Sequence, residues 1–178
     1  MRASIFIATS LDGFIARKDG SIDWLTGAEG IDGEDYGFRE FMDSVDLLVM
    51  GRNSFDTVAA FDTWPYGDKR VLVLTHRPIE QTTAAGVVLA TAETPESLYH
   101  RLRDEGVARV YVDGGLTIQQ FLAAGLIDDM TITVLPVLLG DGIPLFGPLP
   151  GDVRLRLLSS KAFPNGFVQG KWGVGSRE

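Results

Sequence analysis

Arg-Val-Tyr-Val-Asp-Gly-Gly-Leu-Thr-Ile-Gln-Gln-Phe, residues 109–121, sets the reading of the whole chain. Val110, Tyr111 and Val112 form an apolar, β-favouring run with no room for a helix. The pair Gly114-Gly115 stops it, and Ile118, Phe121 and Leu122 then resume at helical spacing. The expectation is strand, glycine turn, helix. Adjacent glycines let the backbone approach a bulky anion, and the following helix aims free N–H groups and a partial positive charge at it. A phosphate-bearing ligand suits such a corner. A plain tight turn in an α/β domain accounts for the pair equally well, so the rest of the chain has to decide.

Two further strand-to-helix junctions lie upstream. Residues 47–50 read as a buried strand running into Gly51-Arg52-Asn53-Ser54, and residues 71–74 as another running into Thr75-His76-Arg77-Pro78. Strands alternating with helices argue for a largely parallel sheet, and in such sheets ligands sit beyond the carboxyl ends of the strands. Arg52, His76 and Arg77 form a candidate basic patch for a second, remote phosphate, which favours NADPH over NADH. Neither a G-x-G-x-x-G fingerprint nor a P-loop occurs, so the usual dinucleotide and nucleoside-triphosphate readings lose support.

Around these junctions, residues 4–9 read as a first buried strand, and residues 11–16 as turn and loop. Asp23-Trp24 precedes a glycine-rich surface loop at residues 26–33, which suggests an exposed Trp24 lining a site, although core packing is the commoner fate of tryptophan. Phe38, Phe41, Met42 and Val45 make a helical stripe with Asp35 near its start. A short strand is expected at residues 87–89, and Thr94-Pro95 supplies an N-cap and N1 proline for a helix carrying Leu98 and Leu102 inward. Residues 130–137 form a further strand, and residues 154–160 and 167–174, joined through Asn165-Gly166, a closing antiparallel hairpin.

Composition narrows the function. One domain spanning residues 1–178 is the default for a chain of this length with 45% hydrophobic residues. A formal charge of −8 argues against nucleic acid as partner. Cysteine is absent and the only histidines are His76 and His100, so thiolate chemistry is excluded and no metal site is expected. The N-terminal apolar run is too short for a signal sequence or a membrane span, which leads to the expectation of a cytoplasmic protein with no membrane partner.

The ordered set Ile-Ala-Thr-Ser-Leu-Asp-Gly-Phe-Ile-Ala (7–16), Asp23-Trp24, Val-Met-Gly-Arg-Asn-Ser (49–54), Leu-Thr-His-Arg-Pro (74–78), Val-Asp-Gly-Gly (112–115) and Leu-Leu-Gly-Asp-Gly-Ile-Pro-Leu-Phe (138–146) resembles the dihydrofolate reductase superfamily. Its nearest branch is the reductase domain of riboflavin biosynthesis, which acts on 5-amino-6-(5-phosphoribosylamino)uracil. The resemblance implies an α/β fold: a central mixed, mostly parallel sheet, flanking helices and a C-terminal antiparallel hairpin, with NADPH across the strand ends. It implies that Ala8 and Ile15 flank the nicotinamide, that Gly51, Arg52, Asn53 and Ser54 hold phosphates, and that Thr75, His76 and Arg77 surround the 2′-phosphate. Val112, Gly114, Gly115, Leu116 and Thr117 then cradle the pyrophosphate, with a cis peptide expected at Asp113-Gly114. It also implies a homodimer.

Reduction of a C=N or C=O bond needs a proton on the receiving heteroatom, and a buried carboxyl with a raised pKa is the usual device. By the resemblance that acid is Asp35, with Thr133 as its hydrogen-bonding partner and Trp24 and Phe38 as substrate wall; the plainer reading is that Asp35 complements a helix dipole. Asp68 falls where a folate-gripping arginine is expected, with Lys69 and Arg70 as the possible substitutes, so the implied substrate is a small pterin or aminopyrimidine. The alternatives are a non-catalytic NADPH-binding module and a true dihydrofolate reductase.

Overall fold

The computed structural model describes residues 1–79 and 87–175. In chain order the elements are β1 (Arg2–Ser10), β2 (Phe14–Ala16), α1 (Asp23–Thr26), α2 (Phe38–Asp43), β3 (Leu47–Gly51), α3 (Arg52–Ala59), β4 (Arg70–Leu74), β5 (Val88–Thr91), α4 (Pro95–Asp104), β6 (Arg109–Asp113), α5 (Gly115–Ala123), β7 (Asp129–Leu135), β8 (Ile143–Pro144), β9 (Leu155–Ala162) and β10 (Val168–Val174). Eight strands form one sheet in the order β5-β4-β3-β6-β1-β7-β10-β9. The first six run parallel, and the closing hairpin adds β10 antiparallel to β7 and β9 antiparallel to β10.

The central strands read as unbroken apolar runs because both of their faces are covered. On one face Leu98 and Leu102 of α4 and Ile118, Phe121 and Leu122 of α5 pack on Ile5, Val49, Val110 and Val112. On the other, Phe41 and Met42 of α2 and Phe55 of α3 pack on Leu48, Met50, Val71 and Tyr111. Helix α4 starts where the sequence indicates: the Thr94 hydroxyl accepts the Ser97 amide at 3.3 Å, and Pro95 follows the cap. At the amino-terminal edge of the sheet, the buried Asp129 carboxylate accepts from Arg2 at 2.7 Å, Arg109 at 3.1 Å and Ser4 at 3.1 Å, fixing β1, β6 and β7 together.

Two local expectations need correction. Residues 14–16 are β2, paired antiparallel with β8, because Asp12 bonds the amides of Leu139 (3.1 Å) and Gly140 (2.7 Å) and lays the two segments side by side. The glycine-rich loop is preceded by the short helix α1, whose Trp24 is not exposed but buried against Leu135, Phe163 and Phe167. Its apolar ring gains more from that cluster than from water, even though the indole N–H finds no acceptor among the described residues.

Candidate active site

Every parallel strand delivers its carboxyl end to one rim of the sheet, so the three junctions become neighbours. β3 pairs with β4 on one side and β6 on the other, which sets Gly51-Arg52-Asn53-Ser54 between Thr75-His76-Arg77 and Gly114–Thr117. Side-chain contacts bind them. The Arg52 guanidinium bonds Asp56 at 2.7 Å and the Pro78 carbonyl at 3.1 Å, spanning the first two junctions. A Cβ on Gly114 would fall 2.2 Å from the Ser54 hydroxyl oxygen, and one on Gly51 would fall 3.0 Å from that of Thr117. These glycines are required by close approach. At Gly114 the backbone adds a second reason, since φ is 87° and ψ is 141°, a region almost closed to other residues. Gly115 lies against Ile15 and Ile143, bringing the loop after β1 to the same rim. His76 and Arg77 are exposed, and the Arg77 amide donates to the Thr75 hydroxyl at 3.1 Å.

Two expectations about this rim are corrected. No cis peptide occurs among the described residues: at Asp113-Gly114 the turn is made by the positive φ of the glycine instead. Val112 is fully buried, its side chain part of the core beneath the rim. Leu116 is exposed and Thr117 buried.

Beside the rim, on the α2 side of β1 and β7, lies a pocket of about 200 Å³ lined by Phe6, Ala8, Asp35, Tyr36, Phe38 and Thr133 among others. Ala8 and Thr133 sit side by side in register. Trp24 is not among the lining residues; Leu25 and Ala28 from the same segment are. Tyr36, at φ 56°, stacks on Phe167 with ring centroids 5.3 Å apart and meets Phe163 edge-on at 4.9 Å, forming a rigid aromatic corner.

Asp35 does reach the pocket, but its electrostatics are the reverse of those expected. It is exposed, and the amides of Arg39 (3.0 Å) and Gly37 (2.9 Å) both donate to its carboxylate, holding its pKa below the ordinary 3.8. The carboxylate, two residues ahead of the Gly37 N-cap, accepts from backbone amides at the start of α2 and is ionised at neutral pH. Thr133 is bonded not to Asp35 but to Gln169, whose amide donates to the Thr133 hydroxyl at 2.9 Å and to the Tyr36 carbonyl at 2.9 Å. The Thr133 hydroxyl thereby keeps its own proton to donate. Gln169 arrives from the last strand, and no spacing in the sequence announces it.

A carboxyl with a raised pKa does exist nearby. Asp113, on the face of β6 that also carries Tyr111, is pushed up by burial, and it accepts from the Gly114 amide at 2.8 Å and the Tyr66 hydroxyl at 3.2 Å. Those bonds tie the glycine turn to the segment after α3.

A larger hollow of about 430 Å³ occupies the opposite face of β7, where Ile132 and Val134 point while Thr133 points into the smaller pocket. Its lining, which includes Phe146, Leu157, Val168 and Trp172, has no titratable side chain among the described residues. Among the described residues lining these two hollows, the titratable side chains are Asp35 and Tyr36, both in the smaller pocket.

Comparison with known proteins places this geometry. A solved structure of a putative riboflavin biosynthesis protein from Shewanella sp. PV-4 superposes with a TM-score of 0.88 at 38% identity, covering 98% of this chain and 99% of that one. The protein YwjB of Bacillus subtilis (strain 168), described as uncharacterized, is 38% identical over 161 residues, 89% of this chain and 90% of its own length. Dihydrofolate reductase from Enterococcus faecalis, solved in complex with NADP(H) and RAB-propyl, shares the fold at a TM-score of 0.66 and 15% identity, covering 98% of this chain and 97% of that one. The model of the RibD C-terminal domain matches residues 4–169. With its mixed, mostly parallel sheet of dihydrofolate-reductase type, the chain belongs to the RibD C-terminal domain family.

Proposed function

We propose that the protein is an NADPH-dependent reductase acting on a C=N or C=O bond of a small pterin- or pyrimidine-like heterocycle, within a single domain. The observation that carries this reading is adjacency: a rim of three anion-suited junctions runs beside a ring-sized pocket that holds Asp35 and Thr133. The rim suits a phosphorylated dinucleotide, because α3 and α5 both begin there, at Arg52 and Gly115, and the start of a helix turns free N–H groups and a partial positive charge toward an anion. In this assignment Gly51, Arg52, Asn53, Ser54 and Gly114–Thr117 receive the pyrophosphate, Thr75, His76 and Arg77 the 2′-phosphate, and Ala8 and Ile15 face the nicotinamide. Bound NADPH supplies the hydride.

The chain's own residues handle substrate and proton. Phe38 and Tyr36 wall the ring, and the ionised Asp35 accepts from a ring N–H or amino group. Because Asp35 is deprotonated, it serves as the acceptor that orients a water, and that water relays a proton taken up from bulk solvent to the substrate heteroatom, with the Thr133 hydroxyl as donor partner holding the water. A homodimer is proposed as the assembly, supported by the uncovered, uncharged face around Phe146, Leu157, Val168 and Trp172.

The test is titration with NADPH followed by loss of reduced-nicotinamide absorbance with a panel of pterins and aminopyrimidines. Asp35→Asn is expected to lower kcat at least about a hundredfold with NADPH affinity retained. NADPH binding without turnover of any ring would leave a binding module, and absence of NADPH binding would remove the assignment.

A further inference from the structure

We infer that the pocket selects substrates without an anionic tail, taking a neutral or protonated ring in preference to its phosphoribosylated or carboxylated relatives. This rests on the reductase reading above and narrows its substrate. The pocket is small, about 200 Å³, and its walls are largely apolar: Phe6, Ala8, Leu25, Phe38, Leu135 and Phe167. The only charged side chain among the described lining residues is the carboxylate of Asp35.

Groups that would ordinarily receive an anion are already engaged. The free amides at the start of α2 donate to Asp35 itself, through Gly37 and Arg39. Lys161, the cation near the aromatic corner, lies 4.3 Å over the Phe163 ring and 3.7 Å from Glu34, while Arg39 is exposed and lies outside the described lining of the pocket. The two cations that the sequence offers as grips for a carboxylate tail are elsewhere. Lys69 donates to the Val45 carbonyl at 2.6 Å, and Arg70 pairs with Glu105 at 3.2 Å at the beginning of β4, the end of the strand away from the rim. A phosphate or carboxylate in the pocket meets the carboxylate of Asp35, with no cationic side chain among the described lining residues to offset it. A protonated ring meets a complementary charge.

The test uses the full chain with matched pairs: a free diaminopyrimidinone against the same ring carrying a ribosyl 5′-phosphate, and a simple pterin against one bearing a dicarboxylate tail. The expected result is a kcat/KM at least about tenfold higher for each tail-free member, with the gap narrowing as salt screens the repulsion. Equal or faster turnover of the tailed members overturns the inference and leaves the reductase reading intact. If no ring of either kind oxidises NADPH, the reductase reading fails, and calorimetric titration of the same pairs reads the selectivity by itself. Tighter binding of the tail-free members then supports the inference; equal binding, tighter binding of the tailed members, or no binding overturns it.

Discussion

Gly114→Ala isolates the turn on which the proposed phosphate rim depends. The new Cβ would be held at φ 87° and ψ 141°, a strain of about 1–3 kcal/mol. It would also be driven to 2.2 Å from the Ser54 oxygen and 3.1 Å from the Ser54 Cβ. The 2.2 Å approach forces the hydroxyl out of its place, so overpacking adds about 1–2 kcal/mol. A total near 3 kcal/mol corresponds to a melting temperature lower by roughly 6–12 °C for a chain of this size. Urea unfolding should move its midpoint with little change of slope. Ser54→Ala in the same background removes the nearer atom and should restore about 1 kcal/mol, while the dihedral strain remains. NADPH affinity should fall with the single substitution, because the backbone that would approach the pyrophosphate has moved. If Gly114→Ala melts within about 1 °C of the parent and Ser54→Ala restores nothing, the turn is not built as described.

The other predictions concern charge and capping. Burial raises the Asp113 pKa above 3.8, so the folded chain holds this proton more tightly than the unfolded one. Stability should therefore fall as pH rises from the ordinary carboxyl value through the folded one, and stay lowered above it; Asp113→Asn should gain on the parent across that window, and a flat difference in unfolding free energy between about pH 3.5 and pH 7 would refute this. Asp129→Ala leaves the largely buried Arg109 guanidinium without its carboxylate, among the described residues keeping the Ser4 and Ser44 hydroxyls and the Phe41 ring, a loss of about 3 kcal/mol measurable by urea unfolding. Thr94→Ala removes the side-chain cap of α4 and should cost about 1 kcal/mol, with amide exchange fastest in the first turn of that helix.

What the sequence makes legible is local. Gly114-Gly115 and Thr94-Pro95 announce their turns because the backbone chemistry belongs to those residues alone, and the Asn165-Gly166 hairpin is found within two residues of its observed bounds. Trp24 was misplaced because its burial depends on Leu135, Phe163 and Phe167, more than a hundred residues away. The Asp35 position is reached correctly, yet its ionisation is set by Gly37, whose φ of 84° turns an amide back onto the carboxylate. An aspartate two residues ahead of a glycine at a helix start was the available signal. Gln169 and the Tyr66–Asp113 contact have no such signal, since the packing of segments far apart in the chain brings them into place.

The bond from Gln169 to Thr133 also has a bearing on how the chain becomes competent during synthesis. A nascent polypeptide that has emerged only as far as β7 already contains the three glycine and arginine corners, but it lacks the amide that holds Thr133 and the Tyr36 carbonyl in place. On the proposed reading, the residues of the dinucleotide rim are thus all synthesised before the amide that braces the ring pocket, which takes its place only after β10 has zipped onto β7.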